Sequence, residues 1–150
     1  MSTMVDKNSF LNQNVKGLIM DLLGRWNCEM DVLQSKTPFA NIRPADMRLF
    51  GQLRGRPTPL PNLHKQLGIS RQAAHKSVSR LVDHGVLAIV GAPDDNKRKI
   101  VKITAKGEEL RHLAALSIKK IEDDCVDRIG TQGLKDLRAL LIKLNDLEGE

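Results

Sequence analysis

Apolar residues recur at spacings of three and four over most of the chain, a rhythm that predicts a mainly helical protein. From Phe10 to Leu33 the positions Leu11, Val15, Leu18, Ile19, Leu22, Leu23, Trp26, Met30 and Leu33 keep it, which predicts one long amphipathic helix. Gly17 and Gly24 weaken that helix locally, by about 1 kcal/mol each relative to Ala. Pro44 opens a second helix, Ala45 to Leu53, with Met47, Leu49, Phe50 and Leu53 turned to a core. Arg54, Arg56, Pro57 and Pro59 read as a stiff basic linker. Leu63 and Leu67 then mark a short helix that Gly68 ends. Ser70 caps the next, Arg71 to His84, whose Ala74, Val78, Leu81 and Val82 point inward and which Gly85 closes.

Beyond Gly85 the rhythm changes. Val86 to Val90 and the run Ile100, Val101, Ile103 are β-prone and flank a polar turn, Gly91 to Asn96, which predicts a hairpin with Lys97, Arg98 and Lys99 near its tip. Thr104 caps another helix whose Glu108 and Glu109 suit the positive end of its dipole. Leu110, Leu113, Ala114, Leu116, Ile118, Ile121, Val126 and Ile129 continue it until Gly130. A last helix, Gln132 to Leu147, presents Leu134, Leu137, Leu140, Leu141, Leu144 and Leu147. The fold class expected is therefore mainly α with a small β-hairpin wing. Its parts are an N-terminal helix over residues 1–40, a winged helix-turn-helix over 41–107 and C-terminal helices over 108–150. The terminal helices carry more apolar face than the small winged part can cover, so a two-fold homodimer is expected to bury it.

The joint between the two central helices is only Gly68 to Ser70, as a helix-turn-helix requires. On the second helix Arg71, Gln72, His75, Lys76, Ser79 and Arg80 are left outside, with Ser70 at the head, and Gln72, His75 and Ser79 fall on one line at i, i+3 and i+7. Gln pairs bidentately with an adenine edge, Ser and His exchange hydrogen bonds with base edges, and Arg or Lys takes guanine or phosphate. The line is thus a candidate reading face for a major groove; the plainer alternative is a solvated helix face. Lys97, Arg98 and Lys99 repel one another at a hairpin tip, which makes sense beside flanking phosphates or a minor groove. A solubilising edge hairpin is the plainer reading there.

Charge sharpens the picture. The net charge is +6, yet residues 54–106 hold 11 basic against 3 acidic side chains, while 1–53 hold 6 against 5 and 107–150 hold 7 against 10. A local surplus of this kind is the footprint of a phosphate-binding module. Cys28 and Cys125 share no metal-ligand spacing and suggest no disulfide framework. The histidines at 64, 75, 84 and 112 form no HxxxH or HExxH pair, and no phosphate loop or nucleophile elbow occurs, so neither an enzyme nor a cofactor is expected. Neither a secretory signal nor a membrane-length apolar run is apparent, and a cytoplasmic protein is expected.

Between about Arg43 and Gly107 the chain resembles the MarR family of bacterial transcription regulators. The residues that carry the resemblance are Ala73 and Ala74 at the head of the second central helix, Leu81, Gly85 with Val86 and Leu87, Asp95 and Lys97 in the wing, then Thr104 and Gly107. Asn96 stands where the family usually has a basic residue, and Lys97 where it has the wing Arg, with Arg98 one position along. The resemblance implies a homodimeric, ligand-responsive regulator, most often a repressor, that binds a pseudo-palindromic duplex. It also implies an effector pocket between dimer helices and winged domain, for which Trp26, Met30, Arg43 and Met47 are the candidates and an anionic or aromatic small molecule the candidate ligand. Peroxide-sensing relatives hold a Cys with tyrosines, and this chain has no Tyr. A winged-helix module that contacts protein, or a redox- or metal-sensing regulator of the same fold, is the alternative.

Overall fold

The computed structural model describes residues 6–146, and in it the N-terminal periodicity is carried by two helices instead of one, α1 (Lys7–Gln13) and α2 (Val15–Gln34). Asn14 between them is extended (φ −72°, ψ 157°). Its amide Nδ2 donates to the carbonyls of Phe10 (3.1 Å) and Leu11 (2.9 Å), and its Oδ1 accepts from the Gly17 N–H (2.8 Å). One side chain thus satisfies the end of one helix and the start of the next, the local competition with helix that Asn is suited to.

Helix α3 (Pro44–Gln52) opens on its proline as expected. After a single 3-10 turn at Leu60–Asn62 comes α4 (Leu63–Leu67), which ends at Gly68 in the left-handed region (φ +67°). There the Ile69 N–H returns to the His64 carbonyl at 3.2 Å. Ser70 caps α5 (Arg71–Asp83), its Oγ accepting from the Ala73 N–H at 3.0 Å.

Among the described residues three strands, β1 (Thr58–Pro59), β2 (Leu87–Gly91) and β3 (Lys99–Ile103), pair in the order β1-β3-β2, all antiparallel. Strands β2 and β3 form the expected hairpin, with Leu87 opposite Ile103 and Gly91 opposite Lys99. Strand β1 corrects the linker reading: Thr58 lies opposite Val101 and Pro59 opposite Ile100. A proline is tolerated there because β1 is an edge. Helix α6 (Ala105–Asn145) is interrupted at Gly130, whose φ of +79° and ψ of 166° are not helical. Leu147, placed in the last helix by its spacing, lies outside the described residues.

The chain forms two compact units, one made of Gln34–Leu116 and the other of the segments on either side. The middle unit closes around Phe39, Ile42, Leu49, Phe50, Leu53, Leu63, Val78, Leu81, Val86, Leu87, Val101 and Leu110. The flanking unit exposes Phe10, Leu11, Val15, Leu18, Ile19 and Leu23 from α1 and α2, and Ile129, Leu140, Ile142 and Leu144 from α6. Among the described residues no helix is long and apolar enough to cross a membrane.

Candidate nucleic-acid interface

Burial of Ala74, Val78 and Leu81 fixes which face of α5 looks inward, and the capped start at Ser70 fixes where the exposed face begins. Ser70, Arg71, Gln72, His75, Lys76 and Ser79 are all exposed. An exposed run with Gln72, His75 and Ser79 on one line offers an amide, an imidazole and a hydroxyl in register, which is what base-edge recognition needs.

Arg80 differs from the rest of this face: its spacing places it outside, yet it is half-buried and its guanidinium turns to Asp46 of α3, with Nε donating to Oδ2 at 2.8 Å and Nη2 to Oδ1 at 2.9 Å. Ser77 of α5 donates its hydroxyl to the same carboxylate at 2.5 Å. The Asp46 side chain is fully buried, while that of Arg80 retains 35% of its exposure. Burial alone would raise the Asp46 pKa; the hydrogen bonds from Arg80 and Ser77 and the charges of Arg80 and Arg43 outweigh it and hold the carboxyl below its ordinary value. The sequence carried a signal for this cluster. Asp46 precedes Leu49, Phe50 and Leu53 by three, four and seven residues, which puts a carboxylate on the apolar face of α3, where it must find partners.

The wing tip is built by Asp95. Its Oδ1 accepts the Lys97 N–H (3.0 Å), its N–H donates to the Ala92 carbonyl (3.2 Å), and its carbonyl accepts from the Arg98 N–H (3.0 Å). This turn leaves Lys97, Arg98 and Lys99 exposed. Arg98 pairs with Asp94 at 3.1 Å, an exposed contact that constrains it little. The junction between wing and α6 is tied by Thr104, which donates to the Gly85 carbonyl (2.6 Å) and accepts from the Gly107 N–H (3.0 Å). A Cβ at Gly107 would collide with the Val86 carbonyl oxygen. The spaced Gly85, Val86, Thr104 and Gly107 of the sequence pattern are thus parts of one joint.

The candidate effector residues belong to both units, Trp26 and Met30 to the flanking one and Arg43 and Met47 to the middle one. Trp26 lines a cavity of about 330 Å³ in the flanking unit with Leu22, Arg25, Glu29, Cys125 and Arg128 among its neighbours. Met30 is half-buried, Met47 packs against the core of the middle unit and Arg43 is exposed at the start of α3. None of these three lines that cavity. Burial, then the charges of Glu122, Asp124 and Glu29, pushes the Cys125 thiol up, so it stays protonated at neutral pH. Among the described residues no group of three or more His, Cys, Asp or Glu is placed to hold a metal ion.

No protein-family model matches the chain. An uncharacterized HTH-type transcriptional regulator of Staphylococcus aureus (strain Mu50) is 24% identical over 70 residues, 47% of this chain and 48% of that protein. The chain thus spans about half the length of the curated relatives it matches. Among solved structures, apo MarR from E. coli is 18% identical, with a TM-score of 0.70 over 88% of this chain and 96% of that one. Streptococcus pneumoniae FabT, solved in complex with DNA, is 17% identical, with a TM-score of 0.70 over 90% of this chain and 98% of that one. Likeness at these identities speaks to architecture, and the chain has the winged helix-turn-helix fold of the MarR transcriptional regulators.

Proposed function

We propose that this protein is a sequence-specific, double-stranded-DNA-binding transcription regulator that acts as a homodimer on a pseudo-palindromic operator. The observation that carries the reading is the exposed polar line of α5, Gln72, His75 and Ser79, flanked by Arg71 and Lys76 and followed in the chain by a wing tip of three exposed cations. Residues 54–106 supply the positive charge that a phosphate backbone requires. FabT, of the same fold, was solved with DNA, which agrees with this reading. The apolar residues left exposed on α1, α2 and α6 are the surface through which two copies pair.

Repression follows from occupancy of a promoter by the bound dimer. Release by an effector follows if a small molecule prefers the dimer geometry in which the two α5 helices are mis-spaced. The cavity beside Trp26 offers an aromatic wall for a ring, while Arg25 and Arg128 are offset there by Glu29, Asp124 and Asp127, so its charge does not select an anion; Met30, Arg43 and Met47 are the further residues to test.

Duplex affinity measured over a salt series tests the reading. Affinity should fall steeply with salt, and the combined change Lys97→Glu, Arg98→Glu, Lys99→Glu should abolish binding to every duplex. Gln72→Ala and His75→Ala should relax sequence preference more than general affinity. Salt-independent binding, or a triple variant that binds as well as the parent, would point to a module that contacts protein.

A further inference from the structure

The guanidinium of an arginine has two paired N–H edges, and Asp46 occupies the one formed by Nε and Nη2 of Arg80. The carboxylate is wholly buried while the Arg80 side chain keeps 35% exposure, and Asp46 takes up Nε and Nη2 but not Nη1. Ser77, one turn earlier on α5, holds the same carboxylate at 2.5 Å, so two residues of the candidate reading helix are tied to one buried atom pair on α3. Arg80 is four residues past Lys76, which places both cations along one flank of α5, beside the line Gln72, His75 and Ser79. Asp46 cancels one positive charge there, and Arg43 at the start of α3 leaves the cluster net positive.

We propose that Arg80 grips a DNA backbone phosphate through its outward edge, and that Asp46, with Ser77, is the positioning residue that sets the guanidinium and the roll of α5 against the duplex. This rests on the DNA-binding reading above and adds a division of labour to it. Gln72, His75 and Ser79 read bases, whereas Arg80 fixes register and carries no sequence information. Arg is the side chain for this task because one edge binds a carboxylate bidentately while another stays free for an oxyanion; Lys has one point charge and must choose.

Charge alone makes the opposite forecast for one variant. Removing a carboxylate from a surface that meets a polyanion should tighten binding, whereas removing the group that aims Arg80 should weaken it. The experiment measures affinity over a salt series for a selected operator duplex and a random duplex, using full-length dimer confirmed as folded by circular dichroism. The proteins are the parent, Asp46→Asn, Arg80→Lys, Arg80→Gln, the double variant Asp46→Asn with Arg80→Gln, and the wing triple variant. Arg80→Gln should lower the slope of log affinity against log salt by about 0.9, the release expected for one phosphate contact. The loss should be equal on operator and random duplex. Asp46→Asn should weaken both duplexes by a common factor and lower the slope likewise, yet change nothing further in the Arg80→Gln background. A purely structural Asp46 would move the melting temperature and leave the slope untouched.

Unchanged slopes, or tighter binding by Asp46→Asn, with the wing variant still inactive would overturn this proposal and leave the DNA-binding reading standing. A parent protein without salt-dependent duplex binding would overturn both. Should Asp46→Asn fail to fold, Arg80→Gln decides alone, since a parent-like slope in that variant refutes the phosphate contact.

Discussion

A buried carboxylate with three hydrogen bonds makes stability depend on pH in one direction only. Asp46 is held below its ordinary 3.8, so near pH 4 the unfolded chain binds more protons than the folded one, and stability rises with pH there. The contribution of Asp46 is present above about pH 4 and is lost as pH falls through the depressed folded value. In urea titrations from pH 2.5 to 7, Asp46→Asn should therefore lie below the parent at neutral pH and converge with it at the acid end. The two partners are also unequal. Asp46→Asn leaves Arg80 with a neutral acceptor and partial access to water, a loss of about 1.5–3 kcal/mol for a charged hydrogen bond. Arg80→Ala strands a wholly buried carboxylate and should cost more, about 3–5 kcal/mol. A parallel offset between parent and Asp46→Asn at every pH would show that the carboxylate is not the titrating group.

Elements in this chain are set by capping and periodicity, and where those signals agree the sequence shows the element plainly. The cap at Ser70, the left-handed Gly68 and the proline at the head of α3 all stand where the pattern puts them. Asn14 was hidden because apolar spacing runs straight through it, and only its side-chain bonds break the helix. Strand β1 was hidden because two residues ending in proline have no period at all; they become a strand only when β3 offers a partner edge. The Asp46, Ser77 and Arg80 cluster joins residues 31 and 34 positions apart, a pairing that no local pattern encodes, although an acid on an apolar face announces that a partner exists. Glycines within helices separate local propensity from packing in a testable way. Gly51→Ala in α3 meets nothing within 4 Å and should stabilise by up to about 1 kcal/mol. Gly107→Ala has the same helical preference but drives a methyl into the Val86 carbonyl, and should destabilise by about 1–3 kcal/mol. Thermal melts of the two variants should shift in opposite directions; a shared upward shift would mean that the joint between wing and α6 yields freely.

Helices packed only within one copy should hide their apolar stripe, and those of the flanking unit do not. Leu18, Ile19 and Leu23 on α2 are exposed, as are Leu140, Ile142 and Leu144 on α6, in a chain whose middle unit buries its own core. Apolar residues exposed in such number on these helices suit an association surface, and a two-fold partner is the simplest closed solution. Pairing through the chain ends would carry two copies of α5 into one particle, able to meet successive major grooves about 34–36 Å apart. Binding would then gain from effective concentration, since the second half-site is met at no further loss of free motion. Ile19→Glu together with Leu140→Glu places four carboxylates in that interface and should yield single copies in sedimentation at micromolar concentration. The middle unit of the variant should keep its fold, so weak, salt-dependent binding to random duplex should persist while tight operator binding falls by a factor of a hundred or more, the order that avidity supplies. Two-copy mass in the variant would place the interface on other residues, and single-copy mass in the parent, with operator affinity intact, would make the exposed stripes the seat of some other contact.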